Sequence, residues 1–211
     1  MEARAHQFED AEQQQEAATV GMWVFLATEV LFFGVLLLAY AVYRGKYPGS
    51  FGEASRHLDI FLGTMNTAVL LCSSLTMAFA VHQAQRGDNR SLSHCLFLTM
   101  GLGIVFLGIK FYEYYEKYNE GLIPGSTFSW AGDEGPHASL FFLLYFTLTG
   151  IHALHMIIGV GMLSVLAIRS RIGEFSSHYY TPVDMAGLYW HFVDIVWVFL
   201  FPLLYLVDRS S

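Results

Sequence analysis

Five side chains stand out because their chemistry is at odds with their surroundings. Glu29, His152, His155, His191 and Asp194 each lie within a long apolar stretch. An ionisable group at membrane depth is costly, so it is expected to be neutral, paired, or facing a wet cavity. Glu29 is ten residues past the start of its apolar run, on the order of 15 Å along a helix, too far to snorkel to the surface. It reads either as a buried hydrogen-bonding group or as a proton-handling carboxylate. His191 and Asp194 are three apart, as are His152 and His155, so each pair shares a helical face. Thr149 and Gly159 extend the stripe of the second pair. Glu29, His191 and Asp194 fall in the starting halves of helices that run the same way, so a three-membered cluster is geometrically open to them.

Two further chemistries are weighed against interhelical hydrogen bonding. Three intramembrane histidines on two helices have the ligand type for haem or copper. A bis-histidine haem, however, wants facing single histidines, and a copper or zinc centre recruits further close ligands; no metal site is expected on the chain. A second polar group, Asn66, Thr67, Ser73 and Ser74, makes its stretch the richest in hydroxyls and amides. Asn66 and Ser73 are seven apart, as are Thr67 and Ser74, so each pair returns to one face for helix packing. A transport path would need broken helices or a run of titratable groups, which that stretch lacks. No nucleophile elbow, phosphate loop, zinc-protease motif or dinucleotide fingerprint is present, so no catalytic residue is expected on the chain.

The elements that must position these residues follow from composition. Of 211 residues, 55% are hydrophobic and 14% charged, against about 45–50% and 25% in soluble domains. Mean hydropathy is +0.44. Crossing about 30 Å of hydrocarbon takes roughly 20 apolar residues, and five continuous stretches qualify, about 19–43, 61–81, 92–112, 138–168 and 187–207. Their length and lack of alternation argue against barrel strands. The fold class expected is an all-α integral membrane protein, a five-transmembrane-helix bundle over residues 19–208, preceded by an acidic segment, residues 1–18. That segment carries Glu2, Glu9, Asp10, Glu12 and Glu16 against Arg4 alone, the reverse of a cleaved signal peptide, so the first span is expected to be retained. Net charge of −7 excludes nucleic acid as a partner. Cys72 and Cys95 form no metal or redox pair and read as packing or membrane-facing residues.

Lysine and arginine do not settle orientation. Arg4, Arg86, Arg90, Arg169 and Arg171 on one side balance Arg44, Lys46, Arg56, Lys117 and Arg209 on the other, with Lys110 inside the third span. Tyr40, Tyr43 and Tyr47, and Phe111, Tyr112, Tyr114, Tyr115 and Tyr118, read as an interfacial aromatic belt. The third helix is expected to run on to Gly121 and end there in a left-handed cap. Gly101, Gly103, Gly108, Gly159 and Gly161 suit close helix packing. By this reading Glu29 and Asp194 are the two carboxylates deep in the spans, and Glu113 opens the connection that follows the third.

Four segments in order carry a resemblance. Met22-Trp-Val-Phe-Leu-Ala-Thr-Glu-Val-Leu-Phe-Phe33, Met65-Asn-Thr-Ala-Val-Leu-Leu-Cys-Ser-Ser74, Thr149-Gly-Ile-His-Ala-Leu-His-Met-Ile-Ile-Gly159 and Tyr189-Trp-His-Phe-Val-Asp-Ile-Val-Trp197 closely resemble subunit III of haem-copper oxidases, from about Met22 to Asp208. The resemblance implies a non-redox accessory subunit of a bacterial proton-pumping terminal oxidase, cytochrome c oxidase first. Such a subunit packs against catalytic subunit I and other oxidase subunits, within a possible larger respiratory supercomplex. It implies no cofactor on this chain, haem and copper in the partner catalytic subunit, bound structural phospholipid, support of proton uptake, and Glu29 as the family's helix-borne carboxylate. It also implies a multi-pass protein of the bacterial inner (cytoplasmic) membrane, N-terminus cytoplasmic and C-terminus periplasmic. Longer members have seven helices, and this chain begins at what resembles their third; Ala153 stands where a glycine is usual. A quinol oxidase subunit III or a nitric oxide reductase accessory protein is the alternative within the fold. A stand-alone membrane haem or metal protein, or an ion carrier, is the rival from another class.

Overall fold

The computed structural model of the chain describes residues 11–125, 128–130 and 135–206. Six helices account for most of it. They are α1 (Ala11–Lys46), α2 (Pro48–Arg56), α3 (Ile60–Gln85), α4 (Asn89–Asn119), α5 (Gly135–Arg171) and α6 (Thr181–Phe201), and a π-helical turn, Pro202–Leu206, continues α6. Five of them are long and apolar enough to cross a membrane, so the chain is a multi-pass helical bundle. α2 is an addition to the five expected spans: Pro48 starts it without needing a backbone N–H, and it tucks Phe51 and Ala54 against the bundle. Every span begins before its expected start, and the first four also end beyond their expected limits. The first ten residues of the expected acidic segment, and 207–208 at the other end, lie outside the described residues, while residues 11–18 already belong to α1.

Local chemistry sets the helix ends. Asp59 caps α3, accepting hydrogen bonds from the N–H groups of Phe61 and Leu62, and Asp88 does the same for α4 through Arg90 and Ser91. At the far end of α4, Gly121 adopts φ of +70°. The N–H of Leu122 donates to the Lys117 carbonyl and that of Gly121 to the Tyr118 carbonyl, the paired bonds of a Schellman stop. α4 therefore continues seven residues past the apolar span that ends at Tyr112, as its expected run toward Gly121 requires, and carries Glu113 into the bundle.

α3 packs on α4 and α6, and α5 on α4 and α6, while α1 lies against α5 and α6. α1 buries the least of the five spans and α6 the most. On α1 a single stripe, Leu26, Phe33 and Tyr40, is buried at seven-residue spacing, while Trp23, Leu31, Val35 and Leu38 face outward. Trp190 of α6 fixes the centre. A Cβ on Gly103 of α4 would stand 2.8 Å from its Cη2, and one on Gly159 of α5 would stand 3.0 Å from its ring. These two glycines do the packing expected of the set; Gly101, Gly108 and Gly161 have open space where a Cβ would be. The aromatic belt divides likewise. Phe111, Tyr112, Tyr115 and Tyr118 are exposed, but Tyr40 is buried and its hydroxyl donates to the Leu203 carbonyl at 2.6 Å.

Candidate functional site

The polar side chains at membrane depth fall into separate groups. Glu29 of α1 meets His155 of α5, with Oε2 and Nε2 3.1 Å apart. The other ring nitrogen of His155 is 2.9 Å from the Ile151 carbonyl one turn back, which orients the imidazole toward α1. The Tyr189 hydroxyl of α6 donates to the His155 carbonyl at 3.0 Å, and the Phe33 ring packs 5.3 Å from the imidazole. Both partners stay reachable, with side chains 19% exposed for Glu29 and 13% for His155. The expected grouping of Glu29 with His191 and Asp194 is therefore not the one the fold makes. Sequence spacing could not distinguish the two, because α1 lies against both α5 and α6 and the choice depends on how those helices are rotated about their axes.

His191 looks to α3 instead, its Nδ1 2.7 Å from the Ser74 hydroxyl. The same seam holds the indoles of α6: Trp190 donates to the Ser73 hydroxyl and Trp197 to the Thr67 hydroxyl, each at 3.1 Å. Ser73 and Thr67 pass their own protons to the Leu70 and Gly63 carbonyls of α3. Each hydroxyl thus satisfies a buried indole N–H that lipid could not. Asn66, His152 and Asp194 are buried without a hydrogen-bond partner among the described residues. The His152 ring lies between Phe106 and Trp197, at 5.4 and 5.3 Å. No three His, Cys, Asp or Glu side chains converge as a ligand group among the described residues.

The most completely paired group was not among the expected site residues. Lys110 and Glu113 of α4 are both sealed, 2% and 0% exposed, and form an ion pair at 2.9 Å. The Lys110 ammonium also donates to the hydroxyls of Tyr145 (3.1 Å) and Tyr205 (2.9 Å), and Tyr205 donates to the second Glu113 oxygen at 2.6 Å. The rings of Tyr114, Tyr145, Trp197 and Tyr205 surround the ammonium at 5.0–5.6 Å, a cation–π enclosure. Glu113 is thus a fully buried carboxylate within a span and not the start of a loop. Pro202 lacks the N–H that a regular α-helix would use there, and the widened π turn after it delivers Tyr205 to this cluster. A Lys and Glu three apart, bordered by tyrosines at the end of an apolar run, was the signal available in the sequence.

At the end of α5, Arg169 pairs with Glu174 in the following loop through two guanidinium nitrogens, Nε to Oε2 at 2.7 Å and Nη2 to Oε1. This hydrogen bonding holds the Glu174 carboxyl below the usual carboxylate range.

Known proteins are similar to this chain in sequence. The family description Cytochrome c oxidase subunit III matches residues 2–208. The chain is 31% identical to Cytochrome c oxidase subunit 3 of Thermostichus vulcanus over 200 residues, covering 94% of this chain and 92% of that one. It is 32% identical to the Corynebacterium diphtheriae protein of the same name, covering 90% and 88%. Against the Loxodonta africana protein the figure is 33%, with 90% and 70% covered. This five-span helical bundle, matched along nearly its whole length, belongs to the cytochrome c oxidase subunit III family.

Proposed function

We propose that this chain is the accessory subunit III of a bacterial proton-pumping haem-copper terminal oxidase, with cytochrome c as electron donor. It sits in the inner membrane with its N-terminus on the cytoplasmic side, packs against the catalytic subunit, holds phospholipid and sustains turnover by supporting proton uptake. Oxygen reduction belongs to the partner's haem and copper, and the chain itself carries neither. The three histidines at membrane depth have separate surroundings: His155 bonds Glu29 and the Ile151 carbonyl, His191 bonds Ser74, and His152 lies in a sealed aromatic slot.

The observation that carries the reading is the Glu29–His155 pair. A carboxylate bonded to an imidazole is a proton-exchanging couple, and its partial exposure between α1 and α5 leaves it open to the surroundings. The apolar outward faces of α1, including Leu31, Val35 and Leu38, offer lipid and neighbouring subunits a large dry surface. In the assembled oxidase, Glu29→Ala is expected to slow proton uptake and shorten the number of turnovers before inactivation. Unchanged values of both would reduce the pair to helix packing. Haem spectra and copper content of the separated chain test the rest; a stoichiometric metal on it would favour a stand-alone metal protein.

A further inference from the structure

At the end of the bundle where α3 meets α4 and α5 meets α6, a cavity of about 350 Å³ is lined by Asn89, Arg90, Ser93, His94, Ser170 and Arg171. Its framework is fixed. The Asn89 amide donates to the Phe175 carbonyl and accepts from the Phe175 N–H, and Ser170 donates to the Asn89 carbonyl. The two guanidiniums are uncommitted to carboxylates among the described residues. The nearby acids are spent: Glu174 binds Arg169, and Asp88 accepts the N–H groups of Arg90 and Ser91. Two unpaired arginines beside one cavity, in a chain of net charge −7, are a concentrated call for an anion, and planar guanidinium forks match phosphate oxygens.

The surroundings identify the anion's carrier. Arg171 lies over the Phe97 ring, 4.4 Å from its centroid. Beyond the cavity Phe97, Leu98 and Ile104 on α4, and Ile168 and Val165 on α5, are exposed. On α4 the positions 90, 94, 97, 101, 104 and 108 recur at helical spacing, so one outward stripe leads from the cationic end into an apolar track. Gly101 and Gly108 on that stripe leave open space. A cationic head of the site joined to an apolar track along a membrane helix fits an amphiphile better than a free ion.

We propose that this cavity seats the phosphate of an anionic phospholipid, held by Arg90 and Arg171 with His94 at the rim, its acyl chains lying along the outer face of α4. This deepens the lipid-binding part of the reading above by naming a headgroup class and a place. The test uses the intact oxidase complex in nanodiscs of mixed phosphatidylglycerol and phosphatidylcholine, with retained lipids counted by native mass spectrometry. The wild type is expected to keep a phosphatidylglycerol that the Arg90→Gln/Arg171→Gln variant loses, with affinity at the site lower by about thirtyfold. Arg86→Gln, at the same end but off the cavity, is expected to change nothing. Added inorganic phosphate is expected not to displace the lipid.

Displacement by phosphate would reassign the cavity to a free anion. Equal phosphatidylglycerol counts in wild type and double variant, or no preference over phosphatidylcholine in the wild type, would overturn this site while leaving lipid binding elsewhere intact. A wild-type complex that keeps no phospholipid at all would overturn the lipid reading itself. The wild-type arms need no variant to fold.

Discussion

Two carboxylates in this bundle meet the same problem in opposite ways. Glu113 is sealed, and its two oxygens are met by the Lys110 ammonium and the Tyr205 hydroxyl, with Tyr145 and three further rings closing around the lysine. Glu29 has one imidazole partner and keeps part of its surface open. Lys110 and Glu113 come from one helix, but the groups that complete their shell come from α5 and the π turn after α6. That cluster therefore clamps three elements at one end of the bundle. The Glu29–His155 bond joins only α1 and α5 and uses fewer of its donors and acceptors. Full satisfaction favours a fixed structure, whereas a reachable, sparsely bonded pair is free to exchange a proton.

The comparison can be broken most forcefully at Lys110 and Glu113. Removing one partner leaves a buried charge alone, so Glu113→Ala is expected to cost about 3–5 kcal/mol and to show as early thermal loss of this chain from the purified complex. Lys110→Met with Glu113→Leu removes both charges and is expected to be far milder than either truncation. A double variant as damaging as Glu113→Ala alone would refute the clamp. Next in size is the packing that sets both regions at their separation. Gly103→Val would drive a side chain into Trp190, an overpacking expected to cost about 1–3 kcal/mol, read by the same melting assay.

Glu29→Gln keeps the size and a hydrogen-bonding group, so its stability cost is expected to stay below about 1 kcal/mol, the range of partly exposed pairs. Its effect should appear in proton uptake and turnover lifetime instead. A large melting shift with normal uptake would make Glu29 a second clamp. The smallest effect is at Glu174. Its carboxyl is held below the ordinary carboxylate range by Arg169, so the stabilisation is present above that range and is lost as pH falls through the lowered value. Glu174→Gln is expected to flatten that acid-side dependence of the melting temperature, with little change at neutral pH.

Much of this was legible in the residues. Gly121 stops α4 in the expected left-handed conformation. Thr67, Ser73 and Ser74 do join helices, through Trp197, Trp190 and His191. The burial of Glu113 on the expected extension of α4 was less legible, because hydropathy marks where lipid ends and not where helix packing does. Glu113 looked like loop for that reason.

Sequence alone determined the five apolar spans, the Gly121 stop of α4, and which residues share a helical face, because all of these depend on local periodicity and backbone chemistry. The tertiary structure decided the pairing. Whether Glu29 meets His155 or His191, whether Tyr40 and Tyr145 face water or core, and whether Lys110 is surface charge or buried clamp depend on which helices are neighbours and how they are rotated. Those choices are set by contacts between residues far apart in the chain, such as Trp190 seated against Gly103 and Gly159, and periodicity along one helix carries no information about them.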